Sequence, residues 1–152
     1  MSEKNPAVLE AYLALDCELS VVVARRSAGD ALTFPVAENR HVEGILDTSI
    51  VPARVDVALA ERARSAAVAI AEGRDYVGVR GVEVFVVSGE RLLVNEIAPR
   101  PHNSGHYSID ACVTSQFEQQ VRILADLPLG STAQHTPSVM LSLLGDLWRA
   151  GE

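Results

Sequence analysis

With 152 residues the chain can bury one proper core and is too short for two ordinary domains. Its hydrophobic share of 48% and charged share of 22% are those of an ordinary globular domain, and no apolar run approaches the roughly 20 residues that span a bilayer. A formal net charge of −7 excludes the basic surface that a general nucleic-acid binder needs.

The opening MSEKNP is polar, so residues 1–7 read as a leader and not as a signal peptide. Cys17 and Cys112 form no CxxC motif, which makes a reducing, cytoplasmic setting the expectation. Val8 to Leu15 is a short apolar stretch. Leu19 to Ala24 (LSVVVA) reads as a strand from its β-branched content. Ser27 to Asp30 forms a turn, and Leu32 to Ala37 returns as a strand, at an edge because of Pro35. Ile45 to Val51 is a further strand. An alanine-rich helix follows over about Asp56 to Glu72, capped by Asp56 and ended by Gly73, with Leu59, Ala63, Ala66 and Ile70 on its apolar face.

Tyr76 to Val87 and Arg91 to Ala98 read as two strands joined by SGER. Ser115 and Glu118 have capping-box spacing and open a second helix, whose expected buried face is Phe117, Val121 and Leu124. Pro128 closes it, and Ser138 to Leu144 is a last apolar run. Strands, helix, hairpin, helix and strand in that order predict an α+β fold with an antiparallel sheet, not a wound βαβ fold.

The hairpin carries a sharper inference. A two-residue Gly89-Glu90 turn of type II′ pairs Ser88 with Arg91, Val87 with Leu92, Phe85 with Val94 and Glu83 with Glu96. One face then carries both glutamates, with Cβ atoms about 4.5–5.5 Å apart. At an effective dielectric of about 20 two such charges repel by roughly 3 kcal/mol. A shared proton would relieve this, as would a divalent cation of the Mg²⁺ type, which takes one or two carboxylates plus substrate phosphates. A slipped register or splayed side chains would remove the problem altogether. Asn95 offers another neutral ligand, although simple alternation starts its side chain on the opposite face.

Arg100, His102, Asn103, Ser104 and His106 follow directly. Pro99 and Pro101 stiffen this loop, and Gly105 is expected to let a ligand approach. Arginine offers a planar fork for phosphate, and Asn103, Ser104 and main-chain amides can complete an anion cradle. His102 and His106 have the spacing of a helical zinc pair, but Pro101 and Gly105 argue against the helix. A plain solvated loop is the alternative.

NEIAPRPHNSGHYSIDACVTSQFEQQVR resembles the signature of the 5-(carboxyamino)imidazole ribonucleotide synthase family, ATP-grasp enzymes of purine biosynthesis. The resemblance extends through ELSVVVAR, ENRHVEGILDTSIVPA, YVGVRGVEVFVV, LPLGST and VMLSLLGDLW. A formate-dependent glycinamide ribonucleotide transformylase is a weaker match around the Asn-Ser pair. The resemblance implies the carboxy-terminal lobe of an ATP-grasp fold over residues 8–127, with a mixed or antiparallel sheet packed by two helices. Residues 128–152 would begin a small carboxy-terminal domain. It implies ATP-dependent carboxylation of 5-aminoimidazole ribonucleotide by bicarbonate, giving ADP and phosphate, with Mg²⁺ as the metal.

By the same resemblance Glu83 and Glu96 bind the metal, and Asn95 and Glu96 meet the ATP phosphates. Glu10, Ala11, Tyr12 and Leu13 line the adenine pocket, Glu18 holds the ribose hydroxyls and His41 approaches the nucleotide. Arg100 and His102 are implied to be catalytic and, with Asn103 and Ser104, to face the ribonucleotide. Against the family pattern, the chain shows no counterpart of the amino-terminal domain or of the glycine-rich lid with its phosphate-binding lysines; Lys4 is its only lysine. Arg80 replaces the usual apolar strand residue. The expectation is a partial ATP-grasp domain, weak or inactive alone, that forms a homodimer or associates with the other lobes. The alternative is a non-catalytic nucleotide-binding or dimerisation module.

Overall fold

In the computed structural model, which describes residues 8–145, an antiparallel sheet is organised around β1 (Cys17–Arg25). Leu19, Val21 and Val23 face one side of β1, and Ser20, Val22 and Ala24 face the other; all six are buried. The continuous apolar reading of LSVVVA therefore follows from burial on both faces. β1 pairs along its whole length with β5 (Gly78–Val87), which pairs with β6 (Arg91–Ala98).

On the other edge of β1 the expected strand Leu32 to Ala37 is divided. β2 (Ala31–Thr33) pairs with the end of β1, and β3 (Ala37–Val42) pairs with its start. Pro35, which has no N–H to donate, lies in the break, and Tyr107 uses its carbonyl as a hydrogen-bond acceptor at 2.7 Å. β3, absent from the sequence reading, continues the sheet to β4 (Ile45–Val51) and on to β7 (Ser138–Leu141), giving the order β6-β5-β1-β3-β4-β7 with β2 beside β1.

α1 (Val57–Gly73) covers one face. The Asp56 side chain caps it, accepting from Ala58 N at 2.7 Å. Its buried stripe is Leu59, Ala63, Ala67 and Ala71, with Ala66 and Ile70 only half-buried. An unbroken spacing of four keeps these small side chains on one line, so the helix can lie close to the strands. Arg80 points to this side. Its guanidinium stacks 3.9 Å from the Tyr76 ring centroid and lies 3.4 Å from the Ile70 carbonyl, a cation near the end of α1. Burial lowers its pKa.

α2 (Ser108–Ala111), a short helix not anticipated, and α3 (Gln116–Leu124) pack on the opposite face. Ser115 caps α3 as expected, accepting from Glu118 N at 3.1 Å. The buried face of α3 is the reverse of the expected one: Gln116, Gln119 and Ile123 are inside, while Phe117, Val121 and Leu124 are exposed. The glutamine amides turn inward because each one satisfies a main-chain group. Gln116 bonds both N and O of His102, Gln119 bonds both N and O of Gly130, and Gln120 accepts from Val79 N.

β7 (Ser138–Leu141) pairs with β4, so residues 138–141 extend the same sheet. The leader expected over residues 1–7 lies outside the described residues, as do residues 146–152.

Candidate active site

The β5–β6 hairpin departs from the expected register twice. Its turn has three residues, Ser88 to Glu90, with positive φ at Ser88 and Gly89, so Val87 pairs with Arg91 and Phe85 with Leu93. Val84 pairs with Val94, on the α1 side. A bulge between Glu83 and Val84 then adds one residue to β6, Asn95, and this restores the pairing of Glu83 with Glu96. The bulge also re-aims Asn95: its Nδ2 donates to Glu83 Oε2 at 3.2 Å, from the same face as the glutamates and not the opposite one. A second irregularity, between Arg40 and His41, lies where β3 meets β4 and flanks the site from the other side.

Between these two bulges a hollow of about 470 Å³ opens on the sheet face away from α1. It is lined by Glu18, His41, Glu83, Asn95, Glu96, Arg100, His102 and Asn103, with Ile45, Leu46 and Phe85 as apolar walls. Glu18 and His41 come from β1 and β3 and touch through Glu18 Oε2 and His41 Nδ1. The expected glutamate pair, the following loop and the two upstream residues thus share one cavity.

Ser104 does not line the hollow. It is fully buried beneath it, with Oγ 2.7 Å from Ser20 Oγ and 2.8 Å from His102 Nδ1. The His102 Nε2 faces Glu83 Oε1 at 3.6 Å. Burial pushes the His102 imidazole below its usual pKa, against the opposing pull of Glu83. His106 packs against Phe117 with ring centroids 5.6 Å apart, so it forms no zinc pair with His102. Gly105 is buried in protein; a Cβ there would meet Gln116 Oε1 at 2.6 Å, so it admits Gln116 and not a ligand.

Glu10, Ala11, Tyr12 and Leu13 lie in an irregular stretch outside the hollow, with Tyr12 97% exposed. Residues the sequence reading missed include Ser20, Gln116 and Gly81. A Cβ on Gly81 would stand 2.6 Å from His102 Cγ, so glycine there is what admits the imidazole. A lone glycine inside a strand pattern is the available signal for such a close approach.

No group of three or more His, Cys, Asp or Glu that could hold a metal gathers among the described residues. Two carboxylates with an amide fit Mg²⁺ nevertheless, since that ion takes hard oxygen ligands, keeps waters and completes its shell with substrate phosphates. Glu83 has a side chain only 12% exposed beside Glu96, a local negative charge that a cation would neutralise.

A family model described as the ATP-grasp domain matches residues 1–117. The chain belongs to the ATP-grasp family. Within that family it is 50% identical over 143 residues to the N5-carboxyaminoimidazole ribonucleotide synthase of Brucella melitensis, covering 94% of this chain and 40% of that protein. The ATP-grasp structures agree. A crystal structure of the ADP complex of an N5-carboxyaminoimidazole ribonucleotide synthetase superposes with a TM-score of 0.88 at 45% identity, over 91% of this chain and 37% of that one. The Aspergillus clavatus synthase in complex with ADP and 5-aminoimidazole ribonucleotide gives 0.81 at 34% identity, over 86% and 35% of the two chains. The chain therefore spans about two fifths of the length of the curated relatives it matches.

Proposed function

We propose that this chain carries the metal- and substrate-facing part of an ATP-grasp ligase that carboxylates 5-aminoimidazole ribonucleotide with bicarbonate, releasing ADP and phosphate. The observation that carries this reading is the cross-strand pairing of Glu83 with Glu96, with Asn95 turned onto the same face by the bulge. The similarity to synthases whose structures hold ADP, and in one case the ribonucleotide, supports it.

In this reading Glu83 and Glu96 hold Mg²⁺, which when bound neutralises charge on the nucleotide phosphates. Glu18, steadied by His41, accepts from the ribose hydroxyls. Arg100 and Asn103 orient the ribonucleotide from the rim of the hollow. Phe85, Leu46 and Ile45 form the apolar walls of the site. The proposed setting is the cytoplasm, where Cys17 and Cys112, both free, stay reduced; among the described residues no helix is long and apolar enough to cross a membrane. Self-association is the proposed assembly, favoured by the exposed Phe117, Val121 and Leu124 of α3.

Calorimetry with Mg·ATP on the whole chain tests the site. Binding at millimolar nucleotide that is lost both on chelation and in Glu96→Ala is expected. No heat from the unmodified chain would refute the metal–nucleotide reading.

A further inference from the structure

Beneath the hollow, the hydrogen bonds of His102 continue into buried polar groups that the proposed function leaves unused. Ser20 is 2% exposed, Ser104 0% and His102 6%, so their hydrogen bonds must be closed within the protein. Ser20 Oγ lies 2.7 Å from Ser104 Oγ and has no other side-chain partner among the described residues. Its hydroxyl hydrogen therefore goes to Ser104. Ser104 Oγ, having accepted that bond, sends its own hydrogen to His102 Nδ1 at 2.8 Å. A neutral imidazole that accepts at Nδ1 carries its hydrogen on Nε2. The opposite end of the ring agrees: Nε2 faces Glu83 Oε1 at 3.6 Å, where an N–H is attracted and a lone pair repelled. Donation from Nδ1 instead would leave the hydrogen of either Ser104 or Ser20 without an acceptor and aim a lone pair at a carboxylate.

Gln116 holds the His102 main chain at both N and O, at 2.9 and 2.7 Å, and the ring packs over Gly81, where any side chain would collide with it.

We propose that Ser104, backed by Ser20, is a positioning residue that fixes the neutral His102 imidazole in its Nε2–H tautomer, so that His102 enters the hollow as a hydrogen-bond donor beside Glu83 and not as a base. The tautomer is a property of the chain itself; its bearing on carboxylation rests on the function proposed above. In that reaction His102 would steady the Glu83 carboxylate or donate to a substrate oxygen, and proton abstraction would fall to another group.

The experiment is long-range ¹H–¹⁵N correlation of the histidine side chains in the ¹⁵N-labelled chain, at a pH above the imidazole range, with His102 assigned by its loss in His102→Gln. The expected result is a His102 Nδ1 shifted as an unprotonated nitrogen, with roughly a fivefold or greater excess of the Nε2–H form, the ratio one net hydrogen bond sustains. Ser104→Ala is expected to move both nitrogens toward averaged shifts, and Ser104→Thr to restore them. Ser20→Ala, which leaves Ser104 in place, is expected to weaken the preference and serves if Ser104→Ala does not fold. A protonated Nδ1 in the unmodified chain, an even mixture there, or a folded Ser104→Ala with unchanged shifts would overturn the proposal. None of these readings depends on nucleotide, so a failure here and a failure of Mg·ATP binding are separate results.

Discussion

Glu83 and Glu96 meet because two deviations from simple alternation cancel. The turn takes in Ser88 as well as Gly89 and Glu90, and the bulge adds Asn95 further along. The pairing expected from the sequence is thus present, although the residues between the glutamates and the turn are paired differently. What the bulge contributes to the site is Asn95, which simple alternation assigns to the other face. Gly81 shows a different dependence on single atoms. Gly81→Ala would set a methyl group 2.6 Å from the His102 ring, against a main chain that Gln116 prevents from yielding. Overpacking of this kind costs about 1–3 kcal/mol. A lowered urea midpoint and a displaced His102 resonance are the expected outcome; an unchanged midpoint would mean that the ring is free to move.

α3 separates sequence pattern from packing at the scale of an element. Phe117, Val121 and Leu124 have helical spacing and yet face outward, while Gln116 and Gln119 reach two separate loops and Gln120 reaches the start of β5. Periodicity finds a face but cannot say that the main chain of His102, Gly130 and Val79 will need amide partners. Gln119→Ala would leave N and O of Gly130 unpaired in a half-buried setting and is expected to cost about 1–3 kcal/mol. Val121→Lys, at a position 62% exposed, is expected to change stability by less than about 0.5 kcal/mol. It should also weaken any self-association seen by sedimentation. The reverse order of stabilities in denaturant would show that the polar face is not the anchored one.

For the whole molecule, β3 is decisive. By inserting between β1 and β4 it brings His41 to Glu18, and its outer end ties Glu38 to Arg54 across the connection into α1. The Arg54 guanidinium holds the Glu38 carboxyl below its usual pKa. The folded state therefore releases this proton more readily than the unfolded chain does. The contribution is complete above the ordinary glutamate value of 4.5 and is lost as pH falls from there through the folded value. Arg54→Ala is accordingly expected to lower the urea midpoint at neutral pH, with the difference closing on acidification below about pH 4.5. A difference that persists undiminished at low pH would assign Arg54 another role. The arginine is largely exposed, so added salt should reduce the effect.

Local chemistry written in consecutive residues was legible from the sequence alone: the caps at Asp56 and Ser115, the apolar β1, the glutamate-bearing hairpin and the polar loop that follows it. These depend on interactions within a few residues or across one turn, where spacing and side-chain type are sufficient information. The tertiary structure alone decided what lies against what over long separations. It placed β3 beside β1, turned α3 over to serve loop main chains, and left Glu10 to Leu13 outside the hollow. It also set Ser20 under Ser104, a pair separated by 84 positions. Such contacts arise from satisfying buried polar groups and filling space in three dimensions, and no local period in the sequence encodes them.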